Sequence, residues 1–211
     1  MKVAEPTIER LVQYHRLLEM LREEGHRVVS SHQMGELLGF KASQVRKDLS
    51  YFGEIGKRGV GYHVSKLSDH IMKILSSPRV WNIALAGVGN LGAALLSNDA
   101  FRNSKMRFEA LFDVDEAKIG RKISGVQCWD VKEMPEVMKE RNIEVLLLAV
   151  PAKAAQSCVD LAISAGTLRG VLAFTQGSLV LPSDIIIFRV DILAELEKLL
   201  FFLKQKQEHS V

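Results

Sequence analysis

The stretch Ile83-Ala84-Leu85-Ala86-Gly87-Val88-Gly89-Asn90-Leu91-Gly92 joins a short apolar run to three spaced glycines. A continuous apolar run of this kind is typical of a strand buried on both faces of a parallel sheet. The glycines that follow predict a tight turn into a helix. Gly87 permits the turn, Gly89 lets a pyrophosphate approach the backbone, and Gly92 lets helix and strand pack closely. Free N–H groups and the dipole at the helix N-terminus favour phosphate. We therefore predict a dinucleotide-binding βαβ unit, with a ligand-free glycine turn as the alternative.

An acidic residue follows the next apolar run at the distance expected for ribose recognition. Phe108 to Phe112 is apolar apart from one acid, and Asp113 comes 21 positions after Gly92. An acid there accepts hydrogen bonds from the adenosine ribose and repels a 2′-phosphate, which favours NAD(H) over NADP(H). Lys118 either faces the ribose or pyrophosphate or belongs to a charged loop.

Length and composition restrict the class of protein. A chain of 211 residues fits one large or two small domains. The sequence has no apolar stretch of membrane-spanning length and no signal-peptide core, so we expect a cytoplasmic protein. Cys128 and Cys158 have no metal-ligand spacing, and we interpret them as small buried hydrophobes, with redox sensing as the lesser alternative.

The second part of the chain, after Pro78, alternates strands with helices. Short apolar runs separated by helical stretches predict a parallel sheet covered on both faces. The predicted strands are Trp81–Ala86, Arg107–Asp113, Glu144–Val150, Gly170–Phe174 and Ile185–Val190.

The part before Pro78 has the organisation of a winged helix. An amphipathic helix over Thr7–Glu24 is followed by a short helix that a Ser30/Gln33 capping box begins and Gly39 ends. A third helix is predicted over Ala42–Phe52, in helix-turn-helix proportion to the second. Residues 56–64 read as a β-hairpin with cations at its tip.

The third helix presents one apolar face and one basic face. Val45, Leu49 and Phe52 share the face expected to pack on the first helix. Arg and Gln on the opposite side suit base edges in a major groove, whereas Ser and Lys suit phosphates. These candidates are Ser43, Gln44, Arg46, Lys47 and Ser50, with Lys57 and Arg58 at the hairpin tip. The alternative is a solvated charged face.

These residues resemble the Rex family of redox-sensing transcriptional repressors along nearly the whole chain. The resemblance is carried by residues 42–54 and 56–62, by Gly89-Asn90-Leu91-Gly92, and by residues 112–115, 149–152 and 190–191. It implies an α/β protein with an N-terminal winged helix-turn-helix domain (1–78), a Rossmann domain with a doubly wound parallel sheet (79–190), and a C-terminal dimerisation helix (191–211) exchanged between subunits. It also implies a homodimer that binds palindromic operator DNA when NADH is low and releases it when NADH binds.

The resemblance and the motifs together define the predicted sites. The NADH/NAD site comprises Gly87, Val88, Gly89, Asn90, Leu91, Gly92, Asp113, Lys118, Ala149, Val150, Pro151 and Thr175. The DNA site comprises Ser43, Gln44, Arg46, Lys47, Tyr51, Lys57, Arg58 and Gly59. The resemblance further implies a switch in which Arg16 pairs with Asp191 in one conformational state.

The glycine motif alone would also fit a small NAD-dependent oxidoreductase with a helical appendage. Residues 81–208 contain no His and no Tyr, the usual proton donors for hydride transfer to a carbonyl. We therefore predict a binding protein without catalytic residues or metal site. A third hypothesis is a nucleotide-binding protein that contacts no DNA.

The C-terminal stretch Asp191–Lys206 is apolar on more than one helical face, from Leu193 to Leu203. Such a helix needs partners on several sides. Burial against a second subunit is preferred over burial within its own domain.

Overall fold

The computed structural model describes residues 3–53, 56, 60–98 and 105–208. The chain divides into two compact units, Met1–Pro78 and Arg79–Val211. The C-terminal helix, which we predicted as a segment of its own, falls within the second unit.

The first unit contains four helices and a two-stranded sheet among its described residues. In chain order the elements are α1 (Glu5–Glu23), β1 (Val28–Val29), α2 (Ser31–Leu38), α3 (Ala42–Ser50), β2 (Tyr62–His63) and α4 (Val64–Leu75). The predicted capping box begins α2, because Ser30 Oγ accepts from the Gln33 N–H and Gln33 Oε1 accepts from the Ser30 N–H. Gly39 ends this helix in the left-handed conformation, with φ of 73°. The helix-turn-helix proportions are thereby confirmed.

The wing differs from its prediction in one respect. Tyr62–His63 pairs antiparallel with Val28–Val29, a strand that the sequence analysis did not predict. The basic tip of the predicted hairpin, Lys57-Arg58-Gly59, lies outside the described residues, and Gly56 before it lies in a bend. Helix α4 was also not predicted; its buried face of Val64, Leu67 and Ile71 belongs to the core that α1 and α3 share.

The second unit contains a seven-stranded sheet with the order β5-β6-β4-β3-β7-β8-β9. The strands are β3 (Trp81–Ala86), β4 (Met106–Asp113), β5 (Lys122–Ile123), β6 (Val126–Asp130), β7 (Val145–Leu148), β8 (Gly170–Ala173) and β9 (Ile186–Arg189). The helices are α5 (Asn90–Ser97), α6 (Met134–Glu140), α7 (Ala152–Ser164) and α8 (Ile192–Glu208). All strands are parallel except β5, which is antiparallel to β6. The five predicted strands are confirmed, with bounds that differ by at most two residues; the β5–β6 hairpin was missed.

The sheet is buried on both faces, as its apolar strands predict. Alternate residues of β3 point to opposite layers, so Ala84 and Ala86 belong to the core with α6 and α7, while Ile83 and Leu85 belong to the core with α5. The order of strands places the carboxyl ends of β3, β4 and β7 side by side. Among the described residues, no helix is long and apolar enough to cross a membrane.

Candidate functional site

The glycine turn after β3 has the geometry that its spacing predicts. Gly87 has φ of +89°, and a Cβ at this position would lie 2.5 Å from the carbonyl oxygen of Ala149. A Cβ at Gly92 would overlap the carbonyl oxygen of Gly87 and lie 3.2 Å from Leu85 Cδ2. By contrast, a Cβ at Gly89 would meet nothing within 4 Å. Two glycines therefore allow close backbone packing, and the third leaves open space at the start of α5, where a pyrophosphate could approach.

Asp113 ends β4 beside this turn and accepts several hydrogen bonds. Its Oδ2 accepts from the backbone N–H of Val88 at 2.8 Å and from Lys118 Nζ at 3.1 Å. Its Oδ1 accepts from the N–H groups of Val114 and Asp115 at 2.8 and 3.0 Å. Burial alone would raise the pKa of this carboxyl, but the hydrogen bonds outweigh it, and the pKa is lowered. Asp113 is therefore ionised at neutral pH.

Lys118 belongs to the charged loop that follows β4, and it is paired there with two acids. Its ammonium is 3.1 Å from Asp113 and 3.3 Å from Asp115. The hydrogen bond to Asp113 raises the pKa of Lys118. Asp113 and Lys118 both line one cavity.

A cavity of about 510 Å³ opens at the carboxyl ends of β3, β4 and β7. It brings together seven of the predicted cofactor residues: Gly87, Gly89, Asp113, Lys118, Ala149, Val150 and Pro151. Its remaining wall is mostly apolar and comes from Ala86, Phe112, Val114, Val131, Ala154, Ser157, Cys158 and Leu161. A charged acceptor on one side and apolar walls on the other suit an adenosine, whose ribose is polar and whose base is flat.

The other predicted cofactor residues lie near this cavity but do not line it in the described structure. Val88 has its side chain buried in the core with α5, so only its backbone faces Asp113. Asn90, Leu91 and Gly92 form the first turn of α5. Thr175 follows β8, is buried, and donates its hydroxyl to the Gln176 carbonyl at 3.4 Å.

The α7 side of the cavity was missed from the sequence. Ala154, Ser157 and Leu161 recur at intervals of three and four after Pro151, which places them on one helical face. That periodicity, next to the motif at residues 149–152, was the available signal. Cys158 also lines the cavity, and burial raises the pKa of its thiol to about 12. It is therefore a neutral apolar wall rather than a reactive thiolate.

Helix α3 divides as its sequence pattern predicts. Val45 and Leu49 are buried in the first unit's core, and Phe52, just beyond the helix, packs against that core. The predicted DNA-contacting residues Ser43, Arg46, Lys47 and Tyr51 are exposed, and Gln44 is half-buried. Arg46 Nη1 donates to the hydroxyl of Ser31, at the start of α2, at 3.0 Å. The exposed face therefore carries two cations together with hydroxyl and amide groups, a set suited to a DNA groove.

Asp48 was not singled out in the sequence, yet it is the most connected polar residue of α3. It is 3 % exposed, and it accepts hydrogen bonds from Arg10 Nε at 2.6 Å and Arg10 Nη2 at 2.8 Å. The Tyr14 hydroxyl donates to it at 2.8 Å and Gln44 Nε2 at 2.9 Å. Burial would raise the pKa of Asp48, but these hydrogen bonds lower it overall. An acid on an otherwise basic helix, with Arg10 and Tyr14 at i,i+4 on α1, was the available signal.

The two predicted switch residues belong to different units. Arg16 is an exposed residue of α1, and Asp191 precedes α8, where its Oδ1 accepts from the Ala194 N–H at 3.0 Å. Asp191 therefore caps α8. Their pairing stays a prediction.

Helix α8 keeps its apolar residues exposed within the single chain. Between Ile192 and Leu203 the large apolar side chains are 48–69 % exposed. Burial within its own domain, the alternative considered above, is therefore wrong. A helix with this much exposed apolar surface marks an interaction site.

Two protein-family models match this chain, one in each of its two units. Residues 2–50 match the family "Putative DNA-binding protein N-terminus", and residues 79–177 match the family "CoA binding domain". CoA and NAD share an adenosine diphosphate, the part of the ligand that the glycine turn and Asp113 would contact.

Curated relatives and solved structures match across the full length. The redox-sensing transcriptional repressor Rex of Chloroflexus aurantiacus is 41% identical over 202 residues, covering 96% of this chain and 95% of the relative. That of Desulforamulus reducens is 41% identical over 208 residues, covering 99% of each chain. A crystal structure of RSP, a Rex-family repressor, with β-NAD+ and operator DNA has a TM-score of 0.90 at 30% identity, covering 100% of this chain and 96% of that one. The RSP structure with β-NADH also has a TM-score of 0.90.

Proposed function

The chain belongs to the Rex family of redox-sensing transcriptional repressors. On that premise we propose that its second unit binds NADH and NAD and that its first unit binds operator DNA. NADH and NAD act as regulatory ligands rather than as substrates, since the family's members are repressors and not enzymes. The observation that carries the assignment is the cavity in which the open glycine turn meets the ionised Asp113.

The dinucleotide lies with its adenosine against Asp113 and its pyrophosphate at Gly89. Asp113 accepts from the ribose hydroxyls in place of the Lys118 ammonium, which gives up one of the four hydrogen bonds to this carboxylate. The N–H groups at the start of α5 face the phosphates. Ala149, Val150 and Pro151 follow β7 and form the opposite rim. Val88, Asn90, Leu91 and Gly92 contribute through the backbone of the turn, and Thr175 lies on the side of the nicotinamide.

The pocket can distinguish the two redox states by charge. The nicotinamide ring is cationic in NAD and neutral in NADH, so an apolar surrounding disfavours the oxidised ring through the cost of desolvating its charge. NADH then shifts the protein toward the arrangement that does not bind DNA, because it binds that arrangement more tightly.

The first unit, residues 1–78, binds the operator. Helix α3 enters the major groove with Ser43, Gln44, Arg46, Lys47 and Tyr51, and Lys57, Arg58 and Gly59 contact the backbone or the adjacent minor groove. Arg46 and Gln44 are suited to read bases, and the lysines to hold phosphates.

Two copies of the chain form the active repressor. The exposed apolar residues of α8 are covered by a second copy, into which residues 191–211 extend as an exchanged helix. The first unit of each copy then binds one half of a palindromic operator. The protein works in the cytoplasm, where operator DNA and NADH meet.

Operator occupancy measured against NADH, NAD and no ligand tests this function. A duplex selected from a random pool by the ligand-free protein serves as the operator. We expect NADH to release it at concentrations where NAD does not. An operator occupancy that changes with neither NADH nor NAD would contradict the proposal.

Two variants locate the DNA surface in the same assay. Arg46→Ala should cost about 1–3 kcal/mol of base discrimination. Lys57→Ala should weaken binding to all sequences alike and flatten its salt dependence. Binding like the parent by both variants would mean that another surface contacts DNA.

A further inference from the structure

Both oxygens of the buried Asp48 carboxylate are saturated by donors. Oδ2 accepts from Arg10 Nε at 2.6 Å and the Tyr14 hydroxyl at 2.8 Å; Oδ1 accepts from Arg10 Nη2 at 2.8 Å and Gln44 Nε2 at 2.9 Å. A carboxylate has about four lone-pair sites, and all of them are used here. Three of the four bonds come from α1, so the carboxylate is fixed by a helix other than its own.

This arrangement allows only one orientation of the Gln44 side-chain amide. An ionised carboxylate accepts hydrogen bonds and cannot donate them, so the group facing Asp48 must be the NH₂ of Gln44. Rotation of the amide by half a turn would place Oε1 against Oδ1, with two acceptors in contact and one buried oxygen left short of a donor. A buried acceptor left without a donor is unfavourable, because it has lost its hydrogen bonds to water without replacing them. The Gln44 oxygen is therefore directed away from Asp48.

The fixed orientation determines what Gln44 offers to a base. A freely rotating glutamine can present donors or acceptors. Held by one N–H, it presents its Oε1 together with the second N–H. This acceptor–donor pair matches the N6 amino group and N7 of adenine in the major groove. It does not match guanine, which presents two acceptors there.

We propose that Asp48 is a positioning residue that fixes the Gln44 amide so that Gln44 reads an adenine in each half of the operator. This inference rests on the proposed function, since it requires α3 to lie in the major groove. Arg10 serves the same end indirectly, because its two hydrogen bonds hold Asp48 in place, whereas Tyr14 donates to Oδ2 and not to the Oδ1 that faces Gln44.

The test compares single-base substitution profiles of operator binding for the parent and three variants. We expect the parent to prefer A·T at one position of each half-site by roughly tenfold or more. Gln44→Ala should lose this preference and keep those at other positions. Asp48→Asn should lose it at the same position, because an asparagine can donate to Gln44 Oε1 and so permits the rotated amide. Circular dichroism establishes that each variant is folded.

Tyr14→Phe is the matched control for a purely structural role. It removes one donor from Asp48 but leaves Gln44 Nε2 with its acceptor, so the base profile should match the parent even if the melting temperature falls. Gln44→Glu keeps the shape and removes the N–H donors, and its carboxylate is repelled by the ionised Asp48; it should abolish the adenine preference whether or not Asp48→Asn folds.

The outcomes separate this inference from the function on which it rests. If the parent binds no operator, both are overturned. If the parent binds and Gln44→Ala or Gln44→Glu keeps the parental profile, the reading of adenine by Gln44 is wrong. If Asp48→Asn is folded and keeps the parental profile, or if Tyr14→Phe alters the profile just as Asp48→Asn does, Asp48 has no orienting role beyond stability.

Discussion

The backbone N–H of Val88 donates a hydrogen bond to Asp113 Oδ2 over 2.8 Å, and this contact joins the glycine turn to the end of the neighbouring strand. A second bond, from the Gly87 N–H to the Phe112 carbonyl at 2.8 Å, lies beside it. The residue expected to recognise the ribose therefore also fixes the loop expected to hold the pyrophosphate. Because both parts are held by contacts within the protein itself, binding requires less ordering of the loop.

Asp113→Ala should weaken NADH binding through the lost ribose hydrogen bonds, by about 1.5–3 kcal/mol for bonds to a charged acceptor. Operator binding by the ligand-free protein should be unchanged. Calorimetric titration with NADH measures the first effect, and operator titration the second. Asp113→Asn retains one acceptor oxygen without the charge, so its NADH affinity should fall between those of the parent and Asp113→Ala. A parental affinity for Asp113→Ala would refute the proposed pocket.

A side chain added at Gly89 should abolish NADH binding, whereas one added at Gly92 should lower the stability of the fold. Gly89→Val adds atoms to open space, so the free energy of unfolding should stay near the parental value while NADH binding is lost. Gly92→Ala places a methyl group on the Gly87 carbonyl and should destabilise the fold by about 1–3 kcal/mol, the usual cost of overpacking. Urea denaturation and NADH calorimetry distinguish the two. Equal loss of stability in both variants would mean that Gly89 is also a packing glycine.

Local sequence patterns predicted those parts of the fold that short-range physics determines. The apolar run Trp81–Ala86 and the glycines after it define a buried strand and its turn without reference to the rest of the chain. The hairpin of Lys122–Ile123 and Val126–Asp130 was missed because each strand is short and has little alternation. Its two turn residues, Ser124 and Gly125, both have positive φ, which only the structure reveals.

Site residues were predictable where a ligand requires a fixed spacing along the sequence. They were not predictable where their role depends on contacts between distant segments of the chain. Gly87, Gly89 and Asp113 follow the geometry of a dinucleotide, so their spacing in sequence is informative. Asp48 acquires its importance from Arg10 and Tyr14, 34–38 residues upstream. Its position among basic residues looked like an ordinary solvated charge, because nothing local shows that α1 covers it.

Asp48 should make the first unit sensitive to acid. Its pKa is lower in the folded than in the unfolded chain, so its stabilisation is complete above the unfolded value of about 4 and is lost as pH falls through the folded value. Asp48→Asn should therefore be less stable than the parent at neutral pH, and the difference should shrink below pH about 4. Urea unfolding followed by tyrosine absorbance reports on this unit, which contains all 3 tyrosines.

The control for this prediction is Asp69→Asn. Asp69 is largely exposed on α4 and lies 3.5 Å from Arg22, an exposed pair of the kind that contributes little to stability. Its substitution should leave the pH profile of unfolding as in the parent. A pH-independent difference between Asp48→Asn and the parent would show that Asp48 does not titrate with a lowered pKa.

Helix α8 should determine the oligomeric state. Leu196 and Leu200 lie one turn apart on its exposed apolar surface, so changing both to glutamate places charge where a second copy would pack. We expect the parent to sediment as a dimer and this variant as a monomer with weakened operator binding. Glu197→Gln, on the same helix, should remain dimeric. A monomeric parent, or a dimeric double variant, would contradict the role of α8.

The pairing of Arg16 with Asp191 should tie the orientation of the DNA-binding unit to the state of the effector domain. A contact made in only one state biases the equilibrium between states, so removing it shifts that equilibrium without altering either binding pocket. We predict that Asp191→Ala changes the NADH concentration needed to release DNA more than it changes the NADH affinity of DNA-free protein. Arg16→Ala should act in the same direction.

The double variant decides whether the two residues act through each other. If they form one contact, Arg16→Ala/Asp191→Ala should be non-additive, because the second change removes nothing further.

Asp191 also caps α8 through the Ala194 N–H, so Asp191→Asn, which can still cap, isolates the loss of charge. Its release curve should follow that of Asp191→Ala if the ion pair matters, and that of the parent if only the cap does. Operator occupancy across an NADH series, measured for every variant, provides the comparison. Strict additivity, or release curves like the parent's with parental operator affinity, would mean that coupling runs through the dimer interface, since that is the other contact expected to join an NADH site to the DNA-binding units.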